Sequence, residues 1–217
     1  MGPVDPQAAA KQAAAEHAAA AVAPGMRVGL GTGTTVAYLL PALARRRLDL
    51  VCVATSPATE EAARSLGLDV RPFGEIDRLD IAIDGADQVS PEGWLVKGGG
   101  GAHTREKIVA AAADHFLVIV SPDKVVPALH PPVPVELMAF GLAATVRALD
   151  GVRLRDCGPS PDGGVIADWW GDLADPGAAA VRLAAQPGVV EHGLFPRELV
   201  GTVVVGEPDG RTRTLLG

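Results

Sequence analysis

Short runs of Val, Ile and Leu recur through the first part of the chain: MRVGLG, LVCVAT, DVRPF, LDIAIDGAD and FLVIVSP, separated by helical or loop stretches. VAYLLPALARRR carries helical periodicity after the first run, so strand, turn and helix follow one another. Strands such as VCVAT and FLVIV are apolar almost throughout, as expected of strands covered on both faces. The pattern predicts a doubly wound, mostly parallel, Rossmann-like α/β sheet over residues 1–129. Beyond the prolines at 127–134 the rhythm changes. PVPVELM, a helix through GLAATVRAL, VRLRD, GVIADWW after the turn SPDGG, a helix around DPGAAAVRLAAQ and the strand VVEHGLF follow. This is the split βαβ, ferredoxin-like order of a smaller α+β domain, set at residues 130–198. The tail GTVVVGEPDGRTRTLL reads as two strands about Pro208-Asp209-Gly210, and residues 199–217 are assigned to the large domain.

The Ala-rich start, AAAKQAAAEHAAAAV, lacks a basic beginning and is interrupted by Lys11, Glu16 and His17, so it reads as a soluble helix and not as a targeting segment. Asp5 suits its N-cap, Pro6 its first turn and Pro24-Gly25 its stop. No apolar run approaches the roughly 20 residues needed to cross a bilayer. The 217 residues are 48% hydrophobic with a mean hydropathy of +0.23, enough for a sizeable core. A net charge of −7 leaves no basic footprint for nucleic acid, and Arg45-Arg46-Arg47 reads as a solvated helix end. Cys52 and Cys157 stand far apart and form neither a disulfide framework nor a metal pattern; a reducing compartment, the cytoplasm, is expected.

Candidate chemistry gathers where strands end. GLGTGTT (29–35) breaks the dinucleotide fingerprint, because the expected third glycine falls on Thr34 or Val36, and no lysine follows in the register of a P-loop. It is either a tight strand-to-helix turn or an anion cradle of bare amides and the Thr32, Thr34 and Thr35 hydroxyls around Gly33. Asp84 and Asp87, flanking Gly85 and Ala86, follow an apolar strand at the edge where open parallel sheets hold ligands. They could share proton-transfer work or merely form an Asx-turn and a cap. After WLVK, the run Gly98, Gly99, Gly100 and Gly101 lets main chain approach a small ligand closely. Lys97 offers a charge for an oxyanion, and Glu106 lies in the first turn of TREKIVAAAADHF, with Thr104 expected as its cap. Helix-dipole complement alone could also explain Glu106.

Lys124 in SPDK follows FLVIV and is a second candidate cation. His17, His103, His115, His130 and His192 show no metal spacing and read as surface or helix-end residues, no G-x-S-x-G elbow is present, and Trp169 and Trp170 should face opposite sides of a strand. The residues therefore suggest acid–base chemistry on a phosphorylated small molecule in a metal-free pocket.

These residues resemble a known family, the type A ribose-5-phosphate isomerases. GLGTGTT is similar to that family's GxGTGST loop, and DGAD followed by KGGGGAxTREK to its signature. SPDK resembles its D-x-S-K segment, PVPVELM its PLPVEV strand and PGVVEHGLF its PGVVxxGLF strand. The similarity runs from about residue 10 to the C-terminus. It implies interconversion of ribose 5-phosphate and ribulose 5-phosphate, in the non-oxidative pentose phosphate pathway, through an enediol and with no metal or cofactor. By position, it makes Glu106 the base, gives Lys97 and the Gly98–Gly101 amides the enediolate charge, and has Asp84 and Asp87 hold sugar hydroxyls and assist ring opening. Thr32, Gly33, Thr34, Thr35, Gly85, Ala86 and Lys124 line the rest of the substrate site. A homodimer or dimer of dimers is also implied. Thr34 stands where serine is usual, Gln88 where glutamate is, His103 where leucine or alanine is, and SPDK lacks the serine before its lysine. The competing readings are a noncatalytic sugar-phosphate sensor, for which the first 25 residues leave no DNA-binding module, and a sugar-phosphate deaminase or coenzyme A transferase on a similar fold.

Overall fold

The computed structural model describes Asp5–Leu216. In chain order the elements are α1 (Pro6–Ala21), β1 (Arg27–Leu30), α2 (Val36–Arg46), β2 (Val51–Ala54), α3 (Pro57–Ser65), β3 (Asp69–Val70), β4 (Ile81–Asp84), β5 (Gln88–Val89), β6 (Leu95–Val96) and α4 (His103–Ala111). There follow β7 (Phe116–Val120), β8 (Val133–Leu137), α5 (Leu142–Ala148), β9 (Val152–Leu154), β10 (Val165–Trp169), α6 (Pro176–Ala184), β11 (Val189–His192), β12 (Leu194–Phe195), β13 (Thr202–Gly206) and β14 (Thr212–Leu216). The chain forms two compact units: one takes the chain up to Ala86, Arg105–Val125 and the segment from Glu198 onwards, the other Asp87–Thr104 and Val126–Arg197.

The first unit is built on a seven-stranded sheet in the order β14-β13-β7-β4-β1-β2-β3, parallel except for the edge strand β14. From β1 the chain winds outward through β2 and β3, then returns to β4 on the other side of β1. The point where winding reverses therefore lies between β1 and β4, where a doubly wound sheet opens a crevice beyond its carboxyl ends.

Alanine is the reason α1 can lie where it does. Asp5 caps it by accepting from the Gln7 amide at 3.0 Å, and Ala10, Ala14, Ala15, Ala18 and Ala19 are buried. A Cβ built on Gly206 of β13 would stand 1.9 Å from the Ala10 carbonyl oxygen, so helix and strand backbones nearly touch. The Arg45-Arg46-Arg47 segment is more than a solvated end: Arg46 donates to the Val22 carbonyl just past α1 and adds a second bond to the Ala19 carbonyl, which also accepts from Val22 N, and Arg45 pairs with Glu16. Arg47 ends α2 in the left-handed region with φ of 50°.

The second unit contains an antiparallel sheet in the order β11-β8-β10-β9, with α5 following β8 and α6 following β10. Numbered within the motif this is 4-1-3-2, the split βαβ arrangement that the pattern predicts. Trp169 is buried and donates its indole N–H to the Asp150 carbonyl at 3.0 Å, whereas Trp170 is exposed, with the Arg153 guanidinium over its ring.

The segment 87–104, placed by sequence in the large domain, groups with this second unit. Its strands pair antiparallel in a three-stranded sheet, β12-β6-β5, and do not extend the parallel sheet. The expected strand VVEHGLF is correspondingly broken in two. Gly193 is the break: its amide donates to Pro134 O at 2.7 Å, its carbonyl accepts from Lys97 N at 2.9 Å, and a Cβ there would sit 2.1 Å from Lys97 O. β11 can then pair with β8 while β12 pairs with β6. His192, expected at the surface, is buried beside this break, where its Nδ1 accepts from Leu194 N.

No helix among the described residues is long and apolar enough to cross a membrane. Cys52 lies in the core on β2, where burial, aided by the charge of Asp69, pushes its thiol up to about 12, while Cys157 is exposed. Because the thiolate is the reactive form, a thiol reagent at pH 8 should modify Cys157 alone in the native protein and both cysteines in denaturant, read by intact mass. Rapid double labelling of the native chain would contradict the buried placement.

Candidate active site

In the first unit, β1 hands the chain to the loop Gly31–Thr35, and β4 ends on Asp84 beside it. Asp84 is buried, and its Oδ1 accepts from the amides of Thr32 at 3.1 Å and of Gly85 at 2.7 Å. Gly31 donates to Ile83 O at 2.9 Å, so the loop is stitched to β4 by backbone and side chain together. The stitch leaves no room for a side chain, because a Cβ on Gly31 would meet the Asp84 Cγ at 1.9 Å. This glycine is needed for space. Gly33, at φ of 123°, is needed for its backbone conformation.

Thr32 is also fixed from the other side by hydroxyls that sequence reasoning missed. It donates to Ser56 at 2.8 Å and lies 2.8 Å from Thr55; Ser56 donates to Thr59, and Thr59 donates to the Gly31 carbonyl at 2.9 Å. A hydroxyl has one proton to give. The direction of donation therefore runs from Thr55 through Thr32, Ser56 and Thr59 to the main chain of the loop. The available signal was TSPAT at the carboxyl end of β2, the same edge that carries GLGTGTT and DGAD. Gly33 and Thr34 are exposed, and Thr35 begins α2 without a side-chain cap bond.

Glu106 is buried, at 5% exposure, in the first turn of α4. The helix itself is seated on β1: a Cβ on Gly29 would stand 2.5 Å from Val109 Cγ1. Lys124 lies in the short 3₁₀ turn Pro122–Lys124 after β7, half-exposed and 3.6 Å from Asp123. Burial tends to raise the Asp123 carboxyl, but the Ser121 hydroxyl and the Lys124 charge outweigh it and hold it below its ordinary value.

In the second unit, Lys97 is buried, its place set by the β6–β12 pairing and by Phe195, whose ring centroid lies 5.5 Å from the ammonium. The glycine run then turns sharply, with Gly98 at φ of 106° and Gly101 at 73°. Space is closed as well: a Cβ on Gly98 would come within 2.6 Å of His103 Nδ1, and one on Gly99 within 2.8 Å of Asp87 Oδ1. His103 is a helix-end residue, the first of α4, and is wholly buried. Asp87 is exposed and accepts from Gly99 N at 2.8 Å.

Two further side chains hold this loop. Arg155 donates from Nη1 to the carbonyls of Gly98 and Gly99, at 2.9 and 3.0 Å, and its Nε and Nη2 engage both oxygens of Asp168, at 2.9 and 2.6 Å. The Asp168 hydrogen bond keeps the guanidinium above its ordinary pKa against partial burial. Thr104, expected as the helix cap, is instead inside α4, which starts at His103; its hydroxyl donates to the buried Glu136 of β8, to which Ser160 also donates.

The arrangement supplies a carboxylate that orders a hydroxyl-lined loop in one unit and, in the other, a bare-backbone loop preceded by a buried cation. Gly31→Ala should disturb the first of these directly. Overpacking of this kind costs about 1–3 kcal/mol, so a lowered Tm in thermal unfolding is expected together with loss of turnover; an unchanged Tm would show that Asp84 can move aside.

The chain as a whole is similar to proteins already known. Residues 51–210 match the family described as Ribose 5-phosphate isomerase A (phosphoriboisomerase A). The chain is 43% identical over 222 residues to the ribose-5-phosphate isomerase A of Haloarcula marismortui, covering 95% of this chain and 96% of that one. The structure of ribose 5-phosphate isomerase A from Methanocaldococcus jannaschii superposes with a TM-score of 0.89 at 32% identity, covering 95% and 98%. A D-ribose-5-phosphate isomerase in complex with phospho-erythronic acid gives 0.88 at 32% identity, covering 95% and 97%. With the sheet order, the ordered loops and these matches in agreement, the chain belongs to the ribose 5-phosphate isomerase A family.

Proposed function

We propose that this chain interconverts ribose 5-phosphate and ribulose 5-phosphate, with Glu106 moving a proton between C2 and C1 through an enediolate. The observation that carries the reading is a carboxylate buried at 5% exposure in the first turn of the helix that follows KGGGGA. Burying an acid costs free energy even when it is partnered, and a site for proton abstraction gives that burial a use. Removing a proton beside a carbonyl places negative charge on oxygen. Preorganised donors are what lower such a barrier, and Lys97 with the amides of the glycine loop are the groups assigned to that charge.

Asp84 and Asp87 are assigned to sugar hydroxyls and to ring opening. Thr32, Gly33, Thr34 and Thr35, with Gly85, Ala86 and Lys124, line the remainder. The relative solved in complex with phospho-erythronic acid supports the enediolate reading: a phosphorylated four-carbon acid carries a planar anionic carboxylate, close in shape and charge to an enediolate. The same reading implies a homodimer or dimer of dimers acting in the cytoplasm, without metal or cofactor.

Purified protein should form the ketose from ribose 5-phosphate with EDTA present. Glu106→Gln should lower kcat by about 10²–10⁴-fold, the range for loss of a general base, while calorimetry still detects substrate binding. Near-normal turnover in that variant would remove Glu106 from the chemistry. Lys97→Ala should lower kcat by about 10²–10³-fold and raise KM far less, because the charge it meets develops in the transition state; equal changes in binding and rate would make Lys97 a ground-state anchor.

A further inference from the structure

A loop of four glycines has no side chains with which to fix its own shape. In this chain a backbone bond from Gly101 N to Gly98 O at 3.0 Å closes the turn, and two charged groups lie against opposite sides of its peptides. The Gly98 carbonyl accepts from Arg155 Nη1, and the N–H of the same peptide, on Gly99, donates to Asp87 Oδ2. In a trans peptide the C=O and N–H point in opposite directions. Arg155 and Asp87 therefore clamp that unit from its two ends.

The next peptide extends the logic. Its carbonyl, on Gly99, accepts from the same Nη1, so its N–H, on Gly100, must point away from Arg155 and toward the Asp87 side. Gly99 and Gly100 are exposed. With the Gly99 amide already given to Asp87, the Gly100 amide is the donor that this turn presents, and the guanidinium on the Gly99 carbonyl oxygen polarises that amide across the peptide and strengthens it as a donor.

We infer that Arg155 is a positioning residue for catalysis: held by Asp168, it fixes the Gly98–Gly100 peptides and so orients and polarises the Gly100 amide toward the negative charge of the reacting sugar. The inference rests on the isomerase reading for the reaction itself. Arginine suits the task where lysine does not, because one planar fork must grip a carboxylate with two nitrogens and still reach two carbonyls with the third. The anchor is well built. Arg155 continues the strand pairing beyond β9, donating its amide to Ile166 O at 3.0 Å, and Asp168 is two residues further along β10; their side chains are 20% and 22% exposed.

Wild-type turnover of ribose 5-phosphate tests the isomerase reading, and Arg155→Met then tests this inference separately. Folded Arg155→Met, with circular dichroism like the wild type, should lose about 10- to 100-fold in kcat, as misaligned but still present donors would. KM should stay within about threefold, and millimolar guanidinium ion should restore part of the lost kcat while leaving the wild type unaffected. If Arg155→Met does not fold, Asp168→Asn, which keeps the fork but weakens its anchor, should show the same kcat-selective loss on a smaller scale. An active wild type accompanied by wild-type kcat in the folded variant, or by a loss of affinity that accounts for the whole defect, would overturn the inference.

Discussion

The first unit turns on a missing methyl group. Asp84 can accept two amides on one oxygen only because Gly31 presents nothing where its Cγ must sit. That single close approach joins the end of β1 to the end of β4, the two strands between which the winding of the sheet reverses. Once the approach is fixed, the Thr32 amide is directed by the carboxylate and its hydroxyl by the Thr55, Ser56 and Thr59 chain. A loop rich in glycine would otherwise sample many conformations and lose them at a cost on binding. Here the ordering is done during folding.

The second unit solves the same problem by another route. Its glycine loop is held by charges and not by a hydroxyl network, with Asp87 on an amide and Arg155 on two carbonyls. Preorganisation of this kind matters most where a reaction creates charge, since donors already in place need not reorganise as it appears. The close contacts at Gly98, Gly99 and Gly193 show how tightly the surrounding chain is packed against the loop. Each glycine is required there by a different neighbour: His103, Asp87 or the Lys97 carbonyl.

Much of this was legible in the sequence. VCVA and FLVIV announce buried parallel strands because both faces are apolar, and the strand-helix alternation of 133–195 announces the split βαβ order. Motif spacing brought Asp84, Lys97 and Glu106 forward as candidates. What escaped notice depended on partners remote in the chain. β5, β6 and β12 are two-residue strands, too short to show a period, and β12 reaches β6 from about a hundred residues away. Arg155 sits in VRLRD, which reads as an ordinary edge strand until Asp168 and the glycine carbonyls are placed around it. Arg46 likewise looked like one of three solvated arginines, because the carbonyls that it meets lie at the end of another helix.

Gln88 shows how a departure from a family's pattern can be explained by its contacts. Its amide makes two bonds to one backbone residue, donating from Nε2 to His130 O at 2.7 Å and accepting at Oε1 from His130 N at 2.9 Å. A carboxylate in the same place could keep the second bond but has no proton for the first, and would set two acceptors against each other in a buried position. Glutamine also puts a neutral group next in sequence to Asp87, so the acid that holds the Gly99 amide has no adjoining negative charge. The chain that leads into the glycine loop is thereby tied to the loop ahead of β8 by an amide whose donor and acceptor are both used.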